Sequence, residues 1–234
     1  MTDTHRLVML RTMDLTDLDR HGVARLPALL SPDQCAEMIA LWDRSGAFRK
    51  EVVMARHGYG SGRYRYFTYP LPDPVAALRE ALYPALAPIA NRWAETLGDG
   101  AIYPARHADF LARCALAGQD KATPLLLRYE AGDWNALHQD VYGPAIFPLQ
   151  AAILLSRPGQ DFTGGAFTLT EQRARMQSRP EVVPLDQGDA VIFPVRDRPV
   201  MGARGAHRVQ MRHGVSRILS GSRHVLGLIF HDAA

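Results

Sequence analysis

The C-terminal half of this 234-residue chain contains a series of short apolar segments, which constrains the fold more than any other feature. Each segment is rich in aliphatic or aromatic residues, and Gly, Pro and Asp separate it from the next, as expected of strands joined by short turns. Helix-like segments precede them. Helices followed by closely spaced strands predict an α+β chain with a double-stranded β-helix (jelly-roll) core and N-terminal supporting helices. The predicted strands are 124–130, 147–156, 166–170, 181–185, 190–195 and 223–230.

The N-terminal part is predicted to be mainly helical. Ser31 followed by Pro32 is typical of a helix start and predicts a helix that ends near Leu41. Residues 49–72 are rich in Gly, Arg and Tyr, so we expect a strand and a mobile loop there, a candidate substrate lid.

Two further helices are expected before the strands begin. Asp73 starts the first of them, and Pro84 and Pro88 should kink or divide it. The second covers 106–117. The predicted organisation is therefore a single domain over 1–234: residues 1–120 support the core and carry the candidate substrate loop, and residues 121–234 form the catalytic jelly roll.

Composition narrows the class of protein. Hydrophobic residues make up 47% and charged residues 22%, as in an ordinary globular chain. Cys35 and Cys114 lack the spacing of a zinc or redox motif, and no apolar stretch is long enough to cross a bilayer. We therefore expect a cytoplasmic protein with no membrane partner.

The net charge of +3 comes almost entirely from arginine, because Lys50 and Lys121 are the only lysines. Arginine suits bidentate contacts with carboxylates and phosphates, so an anionic partner such as nucleic acid is permitted. A genome rich in arginine codons explains the charge equally well, and the charge alone decides nothing.

A candidate metal site begins with His138 and Asp140, two residues apart in an expected strand and so on one face. One later His would complete the 2-His-1-carboxylate facial triad of non-haem Fe(II) oxygenases. His207 and His213 each precede an Arg by ten residues. His213 is favoured because its partner, Arg223, begins a strong apolar strand. The alternative makes His138 a half-buried structural residue and Asp140 a turn former.

Arg223 is the candidate anchor for an organic co-substrate. Burying an isolated guanidinium inside a barrel is very costly, so this side chain either faces solvent or has a fixed anionic partner. A dicarboxylate would supply two charge-assisted hydrogen bonds. Tyr129 could donate another hydrogen bond, or it could simply be an aromatic core residue.

These motifs together resemble those of the Fe(II)- and 2-oxoglutarate-dependent dioxygenases. Residues 128–140 are similar to the ligand strand of AlkB-type DNA-repair enzymes, and 213–223 to the corresponding segment of prolyl 4-hydroxylases. Phe162-Thr-Gly-Gly165 and 187–193 also match. The combination resembles a bacterial group proposed to act on damaged DNA. One departure is Leu127, which stands where AlkB-type enzymes have Asn. Another is the shorter spacing from the last His to the Arg.

The resemblance implies roles for the candidate residues. His138, Asp140 and His213 would bind Fe(II), Arg223 and Tyr129 would bind the co-substrate 2-oxoglutarate, and O2 would be the oxidant. The enzyme would hydroxylate a C–H bond, either in the oxidative demethylation of damaged nucleic acid or, like a prolyl hydroxylase, on a protein or small molecule. Two non-enzyme alternatives are a cupin-like metal-binding module and an arginine-rich nucleic-acid scaffold without metal.

Substrate contacts are predicted from position and composition. Trp134 and Asn135 precede the His138 pair and Tyr142 follows it, so we expect them at the rim of the iron pocket. Arg63 and Tyr66 belong to a run of alternating Arg and Tyr, a composition suited to single-stranded or flipped nucleotides. An amphipathic strand with solvated arginines would have the same composition.

Overall fold

The computed structural model describes residues 13–203 and 205–234. Within them the helices are α1 Asp17–His21, α2 Pro32–Ala40, α3 Asp73–Leu97 and α4 His107–Leu116, with 3-10 turns at Leu41–Asp43 and Met54–His57. The strands are β1 Ala24–Leu26, β2 Phe48–Val53, β3 Gly60–Ser61, β4 Arg63–Phe67, β5 Leu125–Glu130, β6 Trp134–His138, β7 Leu149–Leu154, β8 Phe162–Gly164, β9 Phe167–Gln172, β10 Arg179–Val183, β11 Ala190–Pro194, β12 Asp197–Gly202, β13 Gly205–Val215 and β14 Ile218–Ile229. None of these helices is long and apolar enough to cross a membrane.

The strands form two antiparallel sheets. The larger has the order β1-β11-β7-β14-β5-β4-β2, with β8 also paired to β14. The smaller has the order β10-β9-β13-β6-β3, with β12 also paired to β13. One buried cluster joins residues of both sheets, among them Val225 and Leu154 of the larger and Leu169 and Met211 of the smaller. The sheets therefore pack face to face, and the predicted jelly-roll core is confirmed.

The larger sheet also packs against the helices. Leu82 and Leu86 of α3 share a buried cluster with Ile153 of β7 and Leu228 of β14. Because strand side chains alternate between faces, Val225 of β14 belongs to the cluster between the sheets while Leu228 belongs to the helical one. Arg223 therefore shares the inner face with Val225, which places it between the sheets.

Two helix predictions meet different outcomes. The start of α2 is confirmed: the Ser31 hydroxyl accepts a hydrogen bond from the Gln34 backbone N–H, and the Gln34 side chain accepts one from the Ser31 backbone N–H, which forms a capping box. Pro84 and Pro88, in contrast, do not divide α3, which runs unbroken from Asp73 to Leu97. Both prolines lie on the exposed side, so water can satisfy the carbonyl groups they leave free while the opposite face stays packed.

The largest difference from prediction lies in the smaller sheet. β12 and β13, which are not among the predicted strands, pair as the two arms of a hairpin. β12 lacks the apolar alternation that predicts a strand, and β13 shows it only from Val209 onward, because the residues before Val209 are exposed. The long β13 is nevertheless central to the site, because it carries His213 to the middle of the sheet.

Residues 49–72 contain the two strands that complete the larger sheet on one side. β2 pairs with β4, and β4 pairs with β5, so β2 is an edge strand of the sheet. The strand expected in this segment is therefore confirmed. Whether the segment also moves as a lid stays a prediction.

Candidate metal centre and co-substrate pocket

A cavity of about 510 Å³ opens between the two sheets. Its walls include side chains from the central strands β5, β7 and β14 on one side and from β6, β9 and β13 on the other. His138, Asp140, His213, Arg223 and Tyr129 all line it. The structure thus brings the predicted metal ligands and the predicted co-substrate anchor into one cavity.

The three candidate ligands converge at the ends of two paired strands. His138 is the last residue of β6 and is paired in register with His213 of β13. The Nε2 atoms of His213 and His138 lie 3.2 Å and 3.6 Å from the carboxylate oxygens of Asp140. One ligand atom from each residue lies within 4.8 Å of the others.

The expectation that one strand carries both His138 and Asp140 is wrong in detail. β6 ends at His138, and Asp140 lies in the irregular segment that follows. The Asp140 side chain still turns into the cavity and is buried. Its position therefore comes from the chain leaving the sheet and not from strand alternation.

Hydrogen bonds orient two of these ligands. The Nδ1 of His138 lies 2.7 Å from the carbonyl oxygen of Ala136, so Nδ1–H donates there and the Nε2 lone pair faces Asp140. The Tyr142 hydroxyl donates to Oδ1 of Asp140 at 2.8 Å. This contact leaves Oδ2 as the freer oxygen for a cation. Outer partners of this kind are what fix ligands around protein-bound metals.

The electrostatics favour the protonation states that a divalent metal needs at Asp140 and His213. Burial alone would raise the pKa of Asp140, but His138, His213 and the Tyr142 hydroxyl together hold that pKa well below its usual range. Burial, assisted by His138, lowers the pKa of His213. A carboxylate beside a neutral buried imidazole is the donor chemistry of the 2-His-1-carboxylate site for Fe(II), so the residues fit that metal.

The competing ligand candidate lies elsewhere. His207 is exposed in the β12–β13 hairpin, paired with Val200, and is not among the residues that line the cavity. The structure thus separates two histidines that the sequence left as alternatives, and only His213 joins His138 and Asp140.

Arg223 is buried without a counter-ion at the inner end of the cavity. Its side chain is 2% exposed, and its Nε and Nη1 find no hydrogen-bond partner among the residues described. Burial lowers its pKa to about 10, so the guanidinium stays charged at neutral pH. The neighbouring groups are the rings of Tyr129 and Phe162, at 5.8 and 5.7 Å. An isolated buried charge is very costly, which indicates a site for an anion.

Tyr129 lies opposite Arg223 in the pairing of β5 with β14. Burial raises its pKa, so its hydroxyl remains protonated. That hydroxyl accepts a hydrogen bond of 3.3 Å from the Asn135 amide, and its own proton remains available for an anion beside Arg223. Gly62 makes room for the ring, because a Cβ there would lie 2.9 Å from Cδ1 of Tyr129.

The predicted substrate residues divide into two groups. Asn135, Tyr142 and Tyr66 line the cavity, whereas Trp134 and Arg63 are exposed and are not among its lining residues. Trp134 is outside the cavity because β6 has a bulge: residues 135–138 of β6 face only residues 213–215 of β13, which turns Asn135 toward the cavity. Arg63 is outside it because side chains alternate along β4, so that Arg63 and Tyr66 lie on opposite faces.

The sequence analysis missed several lining residues. Tyr64 could have been found, because it is two residues from Tyr66 on the same face of β4. Arg49 and Lys50 of β2 and Gln150 of β7 also line the cavity. No local pattern marks them, since the pairing of distant strands brings them to the site.

Comparisons of sequence agree with this geometry. Residues 62–233 match the model of a family described as "Oxygenase, catalysing oxidative methylation of damaged DNA". An uncharacterized protein found in two strains of Mycobacterium tuberculosis is 50% identical over 182 residues, 76% of this chain and 78% of that protein.

Solved structures share the fold at low sequence identity. A Pseudomonas putida prolyl-4-hydroxylase is 16% identical with a TM-score of 0.54, covering 98% of this chain and all of that one. A 2OG-Fe(II) oxygenase family protein from Burkholderia pseudomallei is 17% identical with a TM-score of 0.51, covering 94% of this chain and 90% of that one. The family match extends over most of the sequence and includes His138, Asp140, His213, Arg223 and Tyr129. The chain therefore belongs to this oxygenase family and is an oxidoreductase.

Proposed function

We propose that His138, Asp140 and His213 hold Fe(II), and that Arg223 and Tyr129 hold the far carboxylate of 2-oxoglutarate. The observation that carries this proposal is that the candidate metal ligands and the candidate co-substrate anchor face the same cavity. A cluster of two imidazoles and a carboxylate faces the same space as a buried, unpartnered guanidinium. A metal site alone would not require that cation.

The three candidate metal ligands suit Fe(II), and Arg223 with Tyr129 suits 2-oxoglutarate. Three protein ligands leave open positions on Fe(II), which a 2-oxo acid can fill through its keto and carboxylate oxygens. The opposite carboxylate can accept charge-assisted hydrogen bonds from the Nε and Nη1 of Arg223. The Tyr129 hydroxyl can donate one more. A dicarboxylate would therefore satisfy the donors that protein groups leave free.

Bound Fe(II), 2-oxoglutarate and O2 supply the oxidation, in which the oxoacid becomes succinate and carbon dioxide as one oxygen atom enters a substrate C–H bond. The chain contributes orientation and exclusion of water. Tyr142 fixes one oxygen of Asp140, and the Ala136 carbonyl fixes the ring of His138. Phe193 packs against the ring of His213, with centroids 4.7 Å apart, and shields it from solvent.

We propose a methylated base in nucleic acid as the substrate, because the family's description names damaged DNA. Hydroxylation of an N-methyl group gives an N-hydroxymethyl group, whose C–N bond then breaks to release formaldehyde and the unmodified base. The reaction therefore removes the methyl group. Hydroxylation of a prolyl or other side-chain carbon, which leaves a stable alcohol, is the alternative.

An anaerobic titration tests the proposal. Adding Fe(II) and 2-oxoglutarate to metal-free protein should produce the visible metal-to-ligand charge-transfer band of the ternary complex. We expect His213→Ala to abolish the band and His207→Ala, its matched control, to preserve it. A wild-type protein that binds metal but shows no band, or a band that survives in His213→Ala, would contradict the proposal.

A further inference from the structure

The outer part of the cavity has a wall of three tyrosines, Tyr64, Tyr66 and Tyr142, hereafter the tyrosine wall. Tyr66 meets Tyr64 edge-on, with ring centroids 5.3 Å apart, and meets Tyr142 edge-on at 6.2 Å. The Tyr66 hydroxyl is 3.0 Å from that of Tyr142. Rings that hold one another in place form a rigid apolar surface against which a flat aromatic ligand can stack.

Gln150 supplies an unused polar group on the same side of the cavity. It pairs in register with Ile229 of β14, which shares a buried cluster with Tyr66. Gln150 is 2% exposed, and its Nε2 finds no hydrogen-bond partner among the described residues. Leaving a buried amide unpaired is unfavourable, which indicates a ligand that pairs with it. A side-chain amide presents a donor beside an acceptor, as the edge of a nucleobase does.

Two cations stand at the mouth. Arg49 and Lys50 of edge strand β2 are exposed and line the cavity, and the Arg49 guanidinium lies 4.7 Å from the centroid of the Tyr66 ring. Within the described part of the chain, neither residue forms a salt bridge. The Nε of Arg49 donates to the Ala122 carbonyl at 3.0 Å. The terminal NH2 groups of Arg49 and the Lys50 ammonium are left to bind an anion next to a ligand in the cavity.

Arg49 and Lys50 also line a neighbouring groove of about 360 Å³. Arg44 lies in this groove as a third exposed cation. The groove also contains Asp43 and Glu51, and Glu51 is already paired with Arg65 at 2.5 Å. Positive charge therefore extends from the cavity mouth along the outside of β2.

We propose that the groove binds the phosphates of a single-stranded nucleic acid, while one base inserts into the cavity against the tyrosine wall and Gln150. This inference rests on the proposed function, since it names how the substrate of that reaction is bound. A base must leave its stack to enter an enclosure between two sheets, which favours a single strand over an intact duplex. A neutral peptide could pair with the Gln150 amide, but it would leave the cations of the groove without a partner.

Fluorescence anisotropy of a labelled single-stranded oligonucleotide tests the inference. The protein is loaded anaerobically with Fe(II) and 2-oxoglutarate, so the charge-transfer band reports the metal and co-substrate in the same sample. We expect the double variant Arg49→Gln/Lys50→Gln to weaken binding about tenfold. The slope of log affinity against log salt should shrink by about 0.7 for each phosphate that the variant no longer neutralises. Arg106→Gln, at an exposed arginine beside α4 and outside the cavity, is the matched control and should bind like wild type.

The base subsite is tested separately with an abasic oligonucleotide of equal length. Wild type should prefer the strand that carries bases, and Gln150→Leu should reduce that preference about threefold while keeping the salt slope. The inference would be overturned if wild type binds the oligonucleotide no more tightly than Arg49→Gln/Lys50→Gln does. It would also be overturned if wild type binds the abasic strand as tightly as the strand that carries bases. So would a proline-containing peptide that perturbs the band when the oligonucleotide does not. In each case an intact band would leave the proposed metal and co-substrate roles standing.

Discussion

The two ends of the cavity are built differently. The inner end, with His213 and Arg223, stands on β13 and β14, each paired on both sides within its sheet. The outer end uses β2, an edge strand, together with Tyr142 in the irregular segment after β6. His213 and Arg223 therefore lie on backbone that is paired on both sides, whereas Arg49, Lys50 and Tyr142 lie on less constrained backbone. Asp140, in the same irregular segment as Tyr142, and Gln150, on the central strand β7, depart from this division.

The two ends therefore differ in how many strand pairs a substitution disturbs. Moving the backbone of β14 would disturb pairs with β5, β7 and β8 at once. Changing Arg49 or Lys50 on β2 disturbs one neighbour, because β2 pairs with β4 alone among the described strands. We therefore expect inner-end substitutions to remove the reaction and outer-end ones to alter substrate binding.

The largest expected effect is at the inner end. Asp140→Ala removes the one carboxylate of the metal set and should lower turnover about 10³-fold, since metal-based charge stabilisation contributes several kcal/mol. Succinate formation with excess Fe(II) measures it. Asp120→Ala, at an exposed carboxylate, is the control and should match wild type. Near-normal turnover in Asp140→Ala would break the distinction between the two ends.

Arg223→Leu should affect the co-substrate and spare the metal. Removing a bidentate, charge-assisted interaction of about 2–3 kcal/mol predicts a Kd for 2-oxoglutarate that is roughly 30- to 150-fold higher. Isothermal titration gives both affinities. The exposed Arg217, the other arginine ten residues after a histidine, provides the control variant Arg217→Leu. Equal losses in the two variants would refute the anchor role.

Tyr142→Phe changes the residue that links the two ends of the cavity, because the Tyr142 hydroxyl contacts both Asp140 and Tyr66. It removes the 2.8 Å hydrogen bond to Asp140, and loss of such an outer partner typically weakens metal binding about 10- to 100-fold. Tyr66→Phe is the comparison, because its hydroxyl reaches Tyr142 and not Asp140. Competition with a chromophoric chelator would measure the metal Kd. An equal or larger loss of metal affinity in Tyr66→Phe would show that the effect comes from the packing of the tyrosines and not from the hydrogen bond to Asp140.

The last expected effect concerns the stability of the fold and lies outside the cavity. Burial, with Arg79 nearby, lowers the pKa of His107 to about 4 from the usual 6.5, so the fold favours the neutral ring. The free energy of unfolding should fall by up to about 3 kcal/mol as pH drops from 6.5 toward 4, because only the unfolded chain binds the proton there. His231 has a similarly lowered pKa and adds to the fall.

Urea unfolding across this pH range measures the effect of His107. His107→Phe should flatten the fall in stability relative to wild type, whatever its absolute stability. His21→Gln, at an exposed histidine, should leave the fall unchanged. An unchanged slope in His107→Phe would show that this ring is not the acid-sensitive group.

The inner end was predictable from sequence, for a physical reason. His138, Asp140, His213 and Arg223 stand in or beside segments with strong strand patterns, so short-range spacing approximates their geometry. The remaining errors arose where local pattern and backbone disagree. Both Trp134 and Asn135 were expected at the cavity, and the bulge in β6 leaves Asn135 there and Trp134 outside it.

The outer end was not predictable in the same way. Gln150 and Lys50 reach the cavity only because β7 and β2 join one sheet, and no spacing within the sequence encodes that pairing. Arg63 was grouped with Tyr66 by composition, although a period of two separates them onto opposite faces. The β12–β13 hairpin was missed because β12 lacks an apolar alternation and β13 shows one only from Val209 onward.

The most direct test of the central claim is a crystal structure of the protein with Fe(II) and 2-oxoglutarate bound without oxygen. We predict a metal ion contacting Nε2 of His138, Nε2 of His213 and a carboxylate oxygen of Asp140. We also predict the far carboxylate of 2-oxoglutarate on the guanidinium of Arg223. A metal bound through other residues, or a co-substrate that leaves Arg223 unpaired, would contradict these assignments.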